Sequence, residues 1–94
     1  MVIEQHNTRT TGYFAVMEGD VELGRANYSW VGIDKFSIDH TEVKPEYESR
    51  GVGTFLITEA VKYARANKFE IIPLCAFAKA LFKEHKEWKD VLFQ

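Results

Sequence analysis

Apolar and polar positions alternate along the first half of the chain, the two-residue period of β-strands. Thr11 to Met17 (Thr-Gly-Tyr-Phe-Ala-Val-Met) is rich in aromatic and β-branched residues and predicts a strand. Glu18-Gly19-Asp20 is a turn signal, and Val21 to Trp30 resumes as a second strand, giving a hairpin. Gly32 marks the next turn, before a third strand over Ile33 to Val43. On that strand, simple alternation puts Phe36, Ile38, His40 and Glu42 on one face and Ser37, Asp39, Thr41 and Val43 on the other. A bulge would carry part of this pattern across the sheet. The residues before Thr11 are mostly polar and predict a short edge strand or a frayed end.

From Thr54 the period changes to that of a helix. Val52, Leu56, Ala60, Tyr63 and Ala64 make one apolar stripe flanked by Phe55 and Ile57, with Glu59, Lys62 and Arg65 on the solvent side. Asn67 and Lys68 suit the helix end. Phe69 to Ile72 is a short apolar strand that Pro73 ends. Cys75 to His85 predicts a second helix, with Trp88, Val91 and Leu92 continuing its apolar side in a last turn. A strand–helix–strand order favours a crossover that sets the last strand parallel to its neighbour. The predicted class is α+β: a three-strand antiparallel meander followed by strand–helix–strand–helix. This is a mixed, curved sheet of about four strands packed by two helices.

Composition narrows the function. Ninety-four residues, 46% of them hydrophobic and 14% aromatic, suit one compact domain spanning 1–94. The net charge of -2 offers no electrostatic reason to expect nucleic acid. No apolar run reaches the roughly 18 residues of a membrane span, and no signal-peptide pattern opens the chain. The one cysteine cannot form an internal disulfide, so a reducing cytoplasm is the expected compartment. No His/Cys cluster has metal-ligand spacing, so no metal is expected. A partner protein or a homodimer is compatible with so modest a core.

The chain is organised around Val43 to Ala66, where a strand ends at Pro45 and Gly51-Val52-Gly53 opens a helix. Amides from Ser49 to Thr54 at the positive end of a helix dipole form a phosphate cradle, with Arg50 as a charge partner. The same spacing also serves a plain turn and helix start. A P-loop string is absent, and Leu56 stands where a dinucleotide fingerprint needs its third glycine.

Val43-x-Pro45 followed by Gly51-x-Gly53, with Cys75-x-x-Ala78-x-x-x-Phe82 downstream, resembles the GNAT N-acetyltransferase superfamily. His40-Thr41-Glu42-Val43 and Pro73-Leu74-Cys75-x-Phe77 are similar to its small, single-domain YjdJ-like branch. The resemblance covers about Phe36 to Phe82. It implies acetyl-CoA or another acyl-CoA as co-substrate and an amine acceptor. The pyrophosphate is expected on the amides of Ser49, Arg50, Gly51, Val52, Gly53 and Thr54, and the thioester near the Val43 backbone. Cys75, Ala78 and Phe82 occupy the downstream motif. Three positions depart from the family pattern: Glu48 for Arg or Gln, Cys75 for Asn, and Phe82 for a Tyr that often protonates the leaving thiolate. No helical segment of the kind that walls the family's acceptor site precedes the first strands.

Cys75 at a helix start is a candidate nucleophile, because helix N-termini favour thiolates; it reads equally as a small buried hydrophobe. His40 and Glu42 are candidate general bases, or a solvated strand end. Lys79 is a candidate phosphate contact, or an ordinary exposed lysine. His85 and Trp88 read as packing residues. Three functions follow: an N-acyltransferase with His40, Glu42 and Cys75 as catalytic residues, a CoA-binding module without turnover, and a small protein-interaction domain.

Overall fold

The computed structural model describes all residues, Met1–Gln94. Five strands form one sheet in sequence order: β1 (Val2–Asn7), β2 (Thr11–Glu18), β3 (Val21–Trp30), β4 (Lys35–Val43) and β5 (Glu70–Pro73). β1 to β4 run antiparallel, and β5 lies parallel to β4 after the crossover through helix α1 (Val52–Asn67). Helix α2 (Ala76–Glu84) and a 3₁₀ segment, Lys86–Val91, complete the chain. The α+β class holds, with five strands where about four were expected. Val2–Asn7 is a paired edge strand because its inward side chains find partners. Gln5 Nε2 donates to the Tyr28 hydroxyl (2.9 Å), and that hydroxyl donates to Asn7 Oδ1 (3.1 Å). Asn7 Oδ1 also accepts from the Trp30 indole (2.8 Å), so a polar segment is anchored to the core.

The core fills the space between α1 and one face of the sheet. Phe14, Val16, Leu23, Tyr28, Phe36 and Ile38 meet Val52, Leu56, Ile57, Ala60, Val61 and Ala64. The predicted stripe of α1 is this buried face, although Tyr63 stays half-buried among Phe14, Phe36 and Phe69. Lys68, at φ 60, takes the left-handed position that closes α1, while Asn67 Nδ2 bonds the Tyr63 carbonyl oxygen. Trp88 and Val91 pack inward as expected, and His85 stacks on Trp88 at 4.1 Å. Leu92 bridges to Ile71, covering part of the outer edge of β5.

One strand differs from its predicted pattern. Asn27 pairs with His40 and Tyr28 with Ile38, so Asp39 is an unpaired bulge residue on β4. Before the bulge, Phe36 and Ile38 face the helices. After it Thr41, opposite buried Ala26, takes that face, while His40 and Glu42 turn to the other with Asn27 and Arg25. The expectation that His40 and Glu42 share a face with Phe36 and Ile38 is therefore corrected. The Asp39 carboxylate holds the bulge by accepting from the hydroxyls of Ser29 (2.5 Å) and Ser37 (2.6 Å). The face opposite the helices carries no covering element.

Candidate active site

The bulge also sets the backbone. Lys44 N–H bonds the Leu23 carbonyl oxygen (3.1 Å), so by strand alternation the N–H and C=O groups of Val43 and Thr41 point away from β3. On that side β5 has already left. Its pairing ends at Ile38 with Pro73, and Leu74 and Cys75 N–H both bond the Ile38 carbonyl oxygen (3.0 and 3.2 Å). The two parallel strands thus part like a V, and β4 keeps free backbone groups along its inner edge.

The start of α1 closes one end of this opening. Pro45–Arg50 forms a 3₁₀ segment, and Gly51 turns the chain at φ 74, ψ 20, a left-handed conformation that disfavours a side chain. No side chain caps α1. Its first helical bond runs from Phe55 N–H to the Gly51 carbonyl oxygen (3.0 Å), which leaves the amides of Val52, Gly53 and Thr54 without intrahelical acceptors. A cleft of about 490 Å³ lies against them, lined by Thr41, Glu42 and Val43 of β4, Glu48 and Gly51 before α1, Gly53 and Thr54 at its start, and Phe77 of α2. Glycine at 53 lets the Phe77 ring lie against the start of α1: a Cβ there would sit 2.7 Å from that ring.

Cys75 caps α2. Its sulfur accepts from Ala78 N–H (3.4 Å) and lies 3.4 Å from the Thr41 hydroxyl, half-buried in the wall of the V. The cleft thus brings together Val43, Gly51, Gly53 and Thr54, while Cys75 is not among its lining residues and touches one of them, Thr41. Ser49 is exposed just before them. Arg50 turns elsewhere: its guanidinium forks onto Glu18 of the β2–β3 hairpin, with N···O distances of 2.8 and 3.4 Å. That hydrogen bond and charge hold the Glu18 carboxyl below, and the Arg50 guanidinium above, their usual ranges. Lys79 is exposed on the first turn of α2. Ala78 and Phe82 are buried in the core, Phe82 against Trp88 at 5.3 Å. His40 and Glu42 stand together at 3.7 Å on the open face of the sheet, across β4 from Cys75.

Sequence reasoning passed over Thr41 and Phe77 as site residues. Thr41 was assigned to the opposite face by simple alternation. Phe77 entered as part of the Pro73-Leu74-Cys75-x-Phe77 resemblance, yet it is 42% exposed and lines the cleft. Its position two residues after a helix-capping Cys75 was the available signal. Nowhere do three metal-ligating side chains gather, and no helix is long and apolar enough to cross a membrane.

A parted pair of parallel strands thus meets an uncapped, glycine-led helix at one opening. The family model described as GCN5-related N-acetyl-transferase matches residues 12–91. The chain belongs to the GCN5-related N-acetyltransferase family, the GNAT superfamily of the sequence resemblance. It is similar to a GCN5-like chain from Staphylococcus aureus, with 31% identity, a TM-score of 0.70, and coverage of 96% of this chain and 87% of that one. An aminoglycoside acetyltransferase from an uncultured soil metagenomic sample shares the fold at 14% identity and a TM-score of 0.68, covering 94% of this chain and 62% of that one. The aminoglycoside N-acetyltransferase AAC(6')-Iy, solved in complex with CoA, shares it at 20% identity and a TM-score of 0.59, covering 93% and 62%. This chain therefore spans under two thirds of the length of those two enzymes. Among curated proteins none matches the chain.

Proposed function

We propose that this chain is an acetyl-CoA-dependent N-acyltransferase, residues 1–94 acting as one acyl-CoA-binding unit, with the thioester beside Cys75. The observation that carries this reading is the parting of β4 from β5 directly beside the uncapped start of α1. An acyl-CoA fits the chemistry of that opening. Its diphosphate accepts N–H bonds from Gly51, Val52, Gly53 and Thr54, and Lys79 is the nearest candidate cation on α2. Its pantetheine amides match the free backbone of Thr41 and Val43, as an added strand would. Bound there, the acyl-CoA supplies an activated thioester.

The chain's own groups then have definite tasks. Val43 N–H, aimed into the cleft, polarises the thioester carbonyl. His40 or Glu42 accepts a proton from an amine arriving from the open face. The amine nitrogen attacks the carbonyl carbon, the C–N bond forms, the C–S bond breaks, and the sulfur leaves as thiolate. Phe82, a buried hydrocarbon, has no proton to give it. In a two-step variant the Cys75 sulfur takes the acyl group first, and the amine then displaces it. A reducing cytoplasm would keep that thiol free.

A second reading, acyl-CoA binding without turnover, draws on two observations. Arg50 is engaged by Glu18, and Glu48 brings a carboxylate to the cleft. Both weaken the attraction for a diphosphate. Intact-mass analysis after incubation with acetyl-CoA and a panel of amines tests the proposal. Acetylated amine supports transfer. A hydroxylamine-labile acetyl group on the protein, absent in Cys75→Ser, supports the two-step route. Stabilisation by acetyl-CoA with no acetylated amine favours the second reading, and no stabilisation removes both.

A further inference from the structure

The open face of the sheet is unusual in what it lacks. On the paired strands β1 to β4 its positions run through the cross-strand pairs His6–Tyr13, Tyr13–Asn27, Asn27–His40 and Arg25–Glu42, and apart from the Val2–Met17 pair at one end it carries no aliphatic side chain larger than Ala15. A face meant to be buried under a helix would carry apolar residues here, so its occupant is polar.

Its charge has one predominant sign. Five carboxylates, Glu4, Glu22, Asp39, Glu42 and Glu70, meet three lasting cations, Arg25, Lys35 and Lys44, and Lys35 is engaged by Asp34 at 3.0 Å. Arg25 is already spent on Glu22 (2.7 Å) and lies flat on the Tyr13 ring (3.7 Å). The histidines on this face, His6 and His40, each sit beside a carboxylate, Glu4 at 3.5 Å and Glu42 at 3.7 Å. Asp39 projects from the bulge, fixed by its two serine hydroxyls.

We propose that this face docks the acceptor, and that the acceptor is a lysine-bearing basic peptide segment of another protein. The proposal rests on the acyl-transfer reading for its chemistry, but the docking is a separate event. Two grooves of about 510 and about 360 Å³ meet at Asn27, one bordered by Glu22 and Glu42 and the other by Asp39. They are shallow and polar, and a small free amine would leave most of its surface in water, unlike a ligand in a formed pocket. An extended basic segment can span both grooves and meet carboxylates along its length. At about 4.8 Å between strands and about 3.3 Å per residue, four strands offer roughly 20 by 20 Å. That is about half of a standard interface per partner, the scale of a transient encounter. His40 and Glu42 stand on the same face beside the parted edge of β4, so a lysine amine docked there lies next to the proton acceptors.

Fluorescence anisotropy with a fluorescein-labelled peptide alternating lysine and serine, without any acyl-CoA, tests the docking alone. The expected result is saturable binding that weakens at high salt and weakens by about threefold in each of Glu22→Gln and Glu4→Gln, neither of which lines the cleft. Free spermidine should compete only weakly. Three outcomes overturn the proposal: no peptide binding while acetyl-CoA still raises the melting temperature, binding unchanged in both variants, or spermidine binding in place of the peptide. Peptide binding without stabilisation by acetyl-CoA would instead keep the docking surface and remove the acyl-transfer reading.

Discussion

The Thr41 hydroxyl lies 3.4 Å from the Cys75 sulfur, and this contact ties the parted end of β4 to the first turn of α2. Ala78 N–H reaches the same sulfur, so two potential donors converge on it behind Thr41, which lines the cleft. Thr41→Val keeps the shape of the side chain and removes one of them. A hydrogen bond of about 1 kcal/mol corresponds to about fivefold in rate. If Cys75 takes the acyl group, its acetylation by acetyl-CoA, followed by intact mass over time, is expected to slow by about that factor in Thr41→Val. Thr41→Ser should restore it. An unchanged rate in the valine variant would reduce the contact to packing.

Gly53 and Phe77 form a steric pair. Gly53→Ala puts a methyl group where the Phe77 ring stands, and the ring, at the far end of a flexible side chain, can yield by swinging into the cleft. The expected outcome is little loss of stability and clear loss of acetyl-CoA affinity by calorimetry. Phe77→Ala in the same chain makes room again and should recover most of that affinity. The two substitutions are therefore expected to be non-additive.

Tyr28 links edge strand β1 to the core through Gln5 and Asn7. Tyr28→Phe should cost about 1–2 kcal/mol in urea unfolding, because Gln5 and Asn7 lose a partner. Burial is the main cause that lifts the Tyr28 hydroxyl above the usual tyrosine value of 10.0, outweighing the Gln5 hydrogen bond. The folded state thus retains this proton more strongly than the unfolded one. The associated stability is fully present below about pH 10 and is lost as pH rises through the raised value. Tyr28→Phe should flatten that part of the alkaline stability curve; an unchanged slope would show that another group governs it.

Arg65 and Asp90 join the last turn of α1 to the 3₁₀ segment through bonds of 2.7 and 2.8 Å. The Arg65 hydrogen bond, then its charge, holds the Asp90 carboxyl below its usual 3.8. The stability it adds is present above that ordinary value and fades as pH falls through the lowered one. In an NMR titration, Arg65→Ala should move the Asp90 midpoint upward. Both groups are exposed, so the effect on folding is expected to be small and to shrink with salt.

Much of this could be read from the chain because its signals are local. The change from alternation to helical period at Thr54, the Gly51-Val52-Gly53 opening of the helix, and the stripe from Val52 to Ala64 are each written in a few neighbouring residues. The bulge was not readable, for a physical reason. Asp39, His40, Thr41 and Glu42 are all polar, so no apolar residue marks which side of β4 turns inward after Ile38. The fate of Arg50 was hidden too, since its partner Glu18 lies on a distant hairpin. The order of β1 depends on Tyr28 and Trp30, contacts that only the assembled sheet supplies.

The central claim is that the uncapped start of α1 and the parted edge of β4 hold an acyl-CoA. Titrating ¹⁵N-labelled protein with acetyl-CoA and following the backbone amides tests it most directly. The account predicts saturable shifts concentrated at Gly51, Val52, Gly53 and Thr54, together with Thr41, Val43 and Cys75, while β1 stays unmoved. Unshifted amides at Gly51 to Thr54 under saturating acetyl-CoA, or shifts gathered elsewhere on the molecule, would contradict it.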